Sequence, residues 1–336
     1  MSKIKVPIYL IILFFVSAGL AEIFSNKILC FPKYGIEKRI LDIRKSGDVR
    51  LSDIYRPYAR YFTTENGYSL HRRNNIGLTG SDVAVSDTSK YIFVMGSSVM
   101  LAEQMEADKI ATSVFQNELG RDSKYQVINL GERSHDLYDN YFRLKYFEKI
   151  YKPSYIIIVL EKTYTKWLKR HPEQLDFSLS GNFGKVFESK AYSMEKPVRE
   201  NLSFANLLVN GMKAFEKIST DENGTGKNEE SNFNKEMDDY LYLSNNFYKC
   251  LEVYSREYGK KFMLVSIMNN PVLNNELNNY CVSAGISFNY DNTIFKAENR
   301  IKKMGHLTEE GNSKLGKFLY DSFAKKLDSG KLILNN

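Results

Sequence analysis

The chain has 336 residues, of which 43% are hydrophobic and 26% are charged. This composition is typical of a globular protein and excludes a collagen-like, a fully disordered or a multi-span membrane chain. Basic residues exceed acidic ones by 47 − 40 = 7, but no basic face interleaved with aromatic residues is visible, so we expect no nucleic-acid partner. Three cysteines and four histidines show no zinc spacing, so we expect neither a metal site nor a cofactor.

The amino-terminal segment, residues 1–24, predicts a membrane anchor or a signal peptide. Val6 to Ala21 carries no charge and follows two lysines. An uncleaved anchor needs about 20 apolar residues, whereas a signal peptide would be cut near Ala21. Both interpretations export the rest of the chain. We favour a single-pass anchor in a bacterial cytoplasmic membrane with the main domain outside the cytoplasm; the alternative is a secreted or periplasmic chain.

A linker and edge segment is expected over 25–84, followed by an α/β domain over 85–330. Within the domain, apolar runs alternate with segments of helical periodicity. Since the run over 155–160 is apolar on both faces, it indicates a parallel sheet covered by helices and hence a three-layer α/β/α, flavodoxin-like fold. The predicted strands lie near 91–95, 125–130, 155–160, 261–268 and 286–288.

Helices are predicted between these strands and after the last of them. They are expected over 107–120, 136–150, 241–258, the stretch that ends near 284, and a final helix from Thr308 to about Lys326. The alternation is broken over 161–240, which we interpret as an insertion with an almost entirely polar stretch.

Several polar residues and a glycine are expected at one edge of this sheet. Ser98, Gly131 and Glu161 each follow a predicted strand, and His306 precedes the last helix. Ligands of open α/β sheets bind beyond the carboxyl ends of the strands. A serine there can be activated by a histidine, and backbone N–H groups can hold an oxyanion. Alone, each residue is more often structural, as a helix cap or as a packed histidine.

Taken together, these segments resemble the SGNH (GDSL-like) hydrolase family over about 85–330. The last matching block is the most specific, and a lead-in segment resembles that of envelope-associated members. The matching segments are Asn75–Gly80, Gly96-Ser97-Ser98, Asn129-Leu130-Gly131, Pro153–Leu160 and His306-Leu307-Thr308 with Gly311-Asn312.

The resemblance implies a role for each matching residue. Ser98 corresponds to the nucleophile and His306 to the general base, and the backbone N–H groups of Ser98 and Gly131 correspond to oxyanion donors. Ser97 stands for the family's usual aspartate and Thr79 for an arginine, and at two functional positions the match fails. The asparagine that supplies a third oxyanion donor is Thr163 here, and the aspartate three residues before the histidine is Lys303.

These departures leave two interpretations open. In the first, a Ser–His dyad works in an esterase or O-acyltransferase that takes an acyl donor or an acylated envelope polysaccharide as substrate, with Glu161 as a candidate to orient the imidazole. In the second, an inactive SGNH-like domain binds a glycan or a partner in polysaccharide assembly. An unrelated nucleotide-binding protein would need more glycine after the first strand than Gly96 supplies. Cys250 and Cys281 either pair outside the cytoplasm or remain buried thiols.

Overall fold

The structure is a computed structural model. The residues that it describes are 5–28, 36–44, 47–63, 69–84, 86, 88–120, 123–133, 135–161, 202–205, 207–208, 245–301 and 305–334. Thr163 and Lys303 lie outside these residues, as does most of the predicted insertion.

The amino-terminal apolar segment is a helix, α1 (Lys5–Ile23), extended by a π-helical turn at Phe24–Ile28. Pro7–Ile28 is 22 residues long and, within the described residues, is the one helix long and apolar enough to cross a membrane. Its isoleucine, leucine and phenylalanine side chains are mostly exposed. A helix of this kind suits either an anchor or a signal sequence, since both need an uncharged apolar core.

The stretch predicted as a linker and edge segment contains four strands. They form two antiparallel hairpins: β1 (Ile36–Arg44) with β2 (Gly47–Tyr55), and β3 (Arg60–Thr63) with β4 (Ser69–Arg72). In the described residues these strands pair with each other and not with the main sheet. Charged residues are frequent in β1 and β2, and two irregularities interrupt their register, so no apolar alternation marks the strands in the sequence.

In the described part of the chain, the main sheet has five strands that all run parallel, in the order β6-β5-β7-β8-β9. These strands coincide closely with the five predicted apolar runs. They are β5 (Lys90–Met95), β6 (Tyr125–Asn129), β7 (Pro153–Leu160), β8 (Phe262–Ser266) and β9 (Ser287–Tyr290).

Within the residues that the structure describes, six helices accompany the sheet. They are α2 (Ser98–Leu101), α3 (Ala111–Leu119), α4 (Leu137–Glu148), α5 (Asn245–Tyr258), α6 (Pro271–Ser283) and α7 (Glu309–Leu334). Local signals start two of them. The carboxylate of Asp136 accepts the N–H groups of Tyr138 and Asp139 at the start of α4, and α6 begins with a capping Asn270 followed by Pro271.

Helices cover both faces of the sheet, which confirms the predicted three-layer α/β/α fold. Phe93 and Met95 of β5 face the core that α4, α5 and α6 cover, whereas Ile92 and Val94 face the core under α3 and α7. Because alternate residues of one strand are buried on opposite faces, the strand reads in sequence as a continuous apolar run.

The order of the strands creates a switch point at β5. The chain leaves β5 to form β6 on one side, and then returns to form β7 on the other side of β5. The two crossovers carry α3 and α4 on opposite faces, as right-handed connections require. The carboxyl end of β5 therefore opens into a crevice of the kind that binds ligands in parallel α/β sheets.

Candidate functional site

Ser98 lies at this switch point, at the start of the short helix α2. The turn before it is tight, because a Cβ on Gly96 would lie 2.4 Å from Cγ of Met100. The Ser97 hydroxyl accepts the N–H of Val99 and caps α2, and Ser98 itself is partly exposed. The helix ends after one turn at Ala102, which has a left-handed φ of 48°.

Gly131 lies against this turn, with no room for a side chain. A Cβ there would meet the backbone nitrogen of Leu101 at 2.6 Å and the carbonyl carbon of Met100 at 2.7 Å. Asn129 joins the two segments, since its Nδ2 donates to the Met100 carbonyl oxygen at 2.7 Å and its Oδ1 accepts the Gly131 N–H at 2.8 Å. The Gly131 N–H, which the family resemblance implies as an oxyanion donor, is thus hydrogen-bonded to Asn129.

His306 is held in a loop just before α7. The loop closes through a bridge between Arg300 and Leu307, and the His306 carbonyl oxygen accepts the Ile301 N–H at 2.8 Å. Leu307 is fully buried beside His306. The site serine therefore begins a one-turn helix, whereas this histidine is carried by a short, hydrogen-bonded loop.

Asparagines fix the His306 loop to its surroundings. Asn299 accepts the backbone N–H of Thr308 at 2.8 Å through its carbonyl oxygen. Asn312 Nδ2 donates to the carbonyls of Leu307 and Thr308, and its Oδ1 accepts the N–H of Ala111 at the start of α3. The loop is thus hydrogen-bonded to the start of α3, the helix that follows α2 in the chain.

The start of α2 and the loop before α7 bring Ser98 Oγ and His306 Nε2 to 3.1 Å, which is hydrogen-bonding distance. The predicted nucleophile and base are therefore adjacent, although 208 positions separate them in sequence. A neutral imidazole whose Nδ1 carries the proton accepts the serine hydrogen at Nε2. This is the arrangement in which a histidine can activate a serine hydroxyl.

The other predicted site residues have different outcomes. Glu161 follows β7 directly and is buried, with 2% of its surface exposed. Its position at the carboxyl end of the neighbouring strand is the one expected from the sequence. Thr163, the candidate for a third oxyanion donor, and Lys303, in the place of the family aspartate, lie outside the described residues.

A buried charged cluster next to the site was not predicted. Glu103 directly follows Ala102, and its carboxylate accepts from Arg73 Nη2 at 2.6 Å and from Arg133 Nε at 2.8 Å. Arg73 also donates to the Thr79 hydroxyl. The cluster links the loop before β5 to the turn after α2. Arg73 and Arg133 each lie 30 positions from Glu103 in the sequence, so no local pattern could reveal the cluster.

His71 lies at the edge of this cluster. It is fully buried, and its Nδ1 donates to the Met105 carbonyl oxygen at 2.9 Å. Burial, together with the positive charge of Arg73, lowers the pKa of His71 to about 4. His71 is therefore neutral in the folded protein at pH 7.

The described residues contain no disulfide and no candidate metal site. Cys250 and Cys281 are buried free thiols, so they do not form the disulfide that was one of the two alternatives. Burial raises the pKa of Cys281 to about 12, and burial with the charge of Asp136 raises that of Cys250. Among the residues that the structure describes, no group of three or more His, Cys, Asp and Glu side chains could hold a metal ion.

No protein-family model matches this chain, and no curated protein matches it. Solved structures with a similar fold include the psychrotrophic esterase EstA from a Pseudoalteromonas species, inhibited by monoethylphosphonate, a lipolytic protein of the G-D-S-L family from Desulfitobacterium hafniense, and TesA. The TM-scores are 0.39, 0.37 and 0.40 at 12%, 12% and 10% identity. The matches cover 70–71% of this chain and 99–100% of those proteins.

Proposed function

We propose that this chain is a membrane-tethered serine hydrolase of the SGNH type, an esterase or O-acyltransferase that acts on an acylated cell-envelope glycan. The observation that carries the proposal is the 3.1 Å contact between Ser98 Oγ and His306 Nε2. The contact lies at the switch point of a parallel sheet, where such folds bind their ligands. The glycan and the tether are implied by the family resemblance of the sequence and by the apolar helix α1.

The proposed reaction proceeds through an acyl-serine. His306 Nε2 takes the proton of Ser98 Oγ as this oxygen attacks the ester carbonyl carbon. The oxyanion forms beside the Ser98 backbone N–H, which has no acceptor within its own helix because it belongs to the first residue of α2. The protonated His306 then returns the proton to the departing alcohol. Water or a glycan hydroxyl then attacks the acyl carbon and gives its proton to His306. The bond from the acyl carbon to Ser98 Oγ breaks, and His306 Nε2 returns that proton to Ser98 Oγ.

One observation favours a second function, a non-catalytic SGNH-like domain that binds a glycan or a protein partner. The Gly131 N–H is hydrogen-bonded to Asn129 Oδ1 at 2.8 Å, so this donor is already occupied. An oxyanion would have to displace the Asn129 side chain or do without this donor. Removing a single oxyanion donor typically slows acyl transfer by a factor of about 100 to 1,000.

Labelling with a fluorophosphonate probe separates the two functions. The full-length protein in detergent should be labelled, and Ser98→Ala and His306→Ala should both lose the label. Ser283→Ala is the matched control, because Ser283 is exposed at the end of α6, and it should label as the wild type does. A folded wild-type protein that takes up no probe would contradict the dyad and support the binding function.

Hydrolysis and transfer are distinguished with an activated acetyl ester and an oligosaccharide acceptor. A transferase should acetylate the oligosaccharide, detected by mass spectrometry, and should release the ester alcohol faster when the acceptor is present. An esterase should release the alcohol at a rate that is independent of the acceptor. Loss of either activity in Ser98→Ala would assign it to this site.

The state of the amino terminus can be read by sequencing the protein purified from membranes. The proposed anchor requires that α1 is retained. A mature chain that begins at Glu22 would contradict the tether and indicate a secreted or periplasmic enzyme.

A further inference from the structure

The carboxyl end of α1 contacts a distant part of the chain, within the predicted insertion. Glu22 Oε1 accepts the Ser203 N–H at 3.0 Å, and Glu22 Oε2 accepts the Phe204 N–H at 2.8 Å. Asn26 Nδ2 donates to the Ser203 hydroxyl at 3.2 Å. One carboxylate thus holds two successive N–H groups from a segment about 180 residues later. We name residues 202–205 and 207–208 the interfacial segment.

The joint between α1 and the interfacial segment buries two serines and leaves two leucines exposed, while Phe204 and Leu207 are partly buried. Ser25 and Ser203 are both buried, with 1% of their surfaces exposed. Leu202 and Leu208 are 43% and 51% exposed. Such a distribution is the reverse of that of a surface built for water, and it is the one expected where the surroundings are apolar.

The same apolar surface continues along the end of the helix. Ile23, Phe24 and Ile28 are 58%, 49% and 67% exposed. The 22 residues of Pro7–Ile28 span about 33 Å at 1.5 Å per residue, which is close to the hydrocarbon thickness of about 30 Å. When α1 crosses a bilayer, its carboxyl end therefore lies at the boundary between lipid and water. Glu22 lies six residues, or about 9 Å, before Ile28, so the leucines beside it lie on the lipid side of this boundary.

We propose that the interfacial segment lies in the membrane surface, with Leu202 and Leu208 inserted among the lipid chains and Glu22 holding its backbone. The inference rests on the proposed function only in that α1 remains as an anchor. The occupant of the apolar face is the lipid bilayer and not a second protein, because the face is continuous with the membrane-crossing helix. It follows that the insertion is attached to the bilayer at two points, α1 and these leucines.

Tryptophan fluorescence in vesicles tests this placement. Trp167 is the only tryptophan, so Trp167→Phe removes the tryptophan emission of the full-length protein. Leu202→Trp and Leu208→Trp are then reconstituted in phosphatidylcholine–phosphatidylglycerol vesicles with or without brominated acyl chains, which quench tryptophan on contact. Phe24→Trp at the end of the anchor is the positive reference. Val282→Trp is the matched control, because Val282 is 73% exposed on α6 of the sheet domain.

We expect Leu202→Trp and Leu208→Trp to lose emission in brominated vesicles as Phe24→Trp does, while Val282→Trp keeps its emission. Quenching of Phe24→Trp alone would overturn the inference and leave the anchor intact. No quenching at all, with protein that fails to float with the vesicles, would overturn the anchor and this inference with it. Fluorophosphonate labelling of the same samples reports on Ser98 separately from both.

A second variant tests the role of Glu22. Glu22→Ala removes both acceptors of the Ser203 and Phe204 N–H groups, so the emission loss of Leu208→Trp in brominated vesicles should decrease. Glu22→Gln keeps one acceptor oxygen and should give an intermediate loss. Unchanged quenching in Glu22→Ala would overturn the assignment of Glu22 as the residue that holds the segment.

Discussion

Asn129 is the side chain on which the geometry of the site most depends. It donates to the Met100 carbonyl oxygen and accepts the Gly131 N–H, so it joins the segment after β5 to the segment after β6. Because Asn129 is buried, the Met100 carbonyl and the Gly131 N–H cannot form hydrogen bonds with water instead when the Asn129 side chain is replaced. The sequence placed Asn129 in a family motif but gave it no role, since its partner Met100 is 29 positions away.

Asn129→Asp should therefore weaken both the fold and the site. At pH 7 the carboxylate still accepts from Gly131, but it places an oxygen against the Met100 carbonyl oxygen in place of a donor. We expect the free energy of unfolding to fall by about 1 to 3 kcal/mol and probe labelling of Ser98 to slow. Urea unfolding and labelling time courses measure the two effects; unchanged labelling would show that Asn129 does not position the turn.

His71 should make the protein sensitive to acid. In the unfolded chain its pKa is about 6.5, and in the folded protein burial and Arg73 lower it to about 4. As the pH falls from 6.5 towards 4, the unfolded chain binds a proton that the folded protein does not, so stability is lost over this range. Between pH 7 and pH 5 the loss should be about 2 kcal/mol.

His71→Asn is the matched variant, because its amide can still donate to the Met105 carbonyl oxygen but does not titrate. Urea unfolding at pH 7 and pH 5 should show a smaller decrease for His71→Asn than for the wild type. An equal decrease in both proteins would contradict the lowered pKa of His71.

Among the strands and helices, the sequence predicted those whose buried side chains form a continuous apolar run. The runs over 91–95 and 155–160 predicted β5 and β7 to within two residues, because buried parallel strands need apolar side chains on both faces. The hairpins β1–β2 and β3–β4 were not predicted, because charged side chains hide their alternation. The Arg73–Glu103 pair and the Asn129 contacts were invisible for another reason, since they join positions about 30 residues apart.

The packing of α3 against α7 depends on one glycine. A Cβ at Gly316 would lie 2.5 Å from Val114 Cβ and 2.7 Å from the Ala111 carbonyl oxygen. Gly316→Ala gains about 1 kcal/mol of helix propensity, but the helices must separate to admit the methyl group, and overpacking costs about 1 to 3 kcal/mol. We expect a net decrease in the free energy of unfolding and in the melting temperature.

Lys317→Ala is the control for this prediction, because Lys317 is exposed on the same helix, one residue further along. Its melting temperature should stay close to that of the wild type. A Gly316→Ala protein that melts at or above the wild-type temperature would show that α3 and α7 separate at no cost.

For the whole molecule, the apolar helix and the sheet domain should be separable in function. A chain without residues 1–35 loses α1 and every contact of Glu22, but keeps the sheet and the Ser98–His306 pair. We expect this chain to remain in solution when the full-length protein floats with vesicles, and to keep its labelling by a soluble probe. Flotation in a density gradient and gel fluorescence measure the two properties; loss of labelling in a folded truncated chain would contradict this independence.

The separation of Ser98 from His306 also determines when the site can exist during synthesis. The two residues meet across 208 positions of the sequence. Closing so long a loop requires the intervening strands and helices to be in place first, because a distant contact has to overcome the entropy of the chain between its ends. A nascent or prematurely terminated chain therefore carries Ser98 as an ordinary alcohol. Reactivity appears only after His306 has left the ribosome and the intervening strands and helices have folded, so a chain interrupted before His306 carries no activated serine.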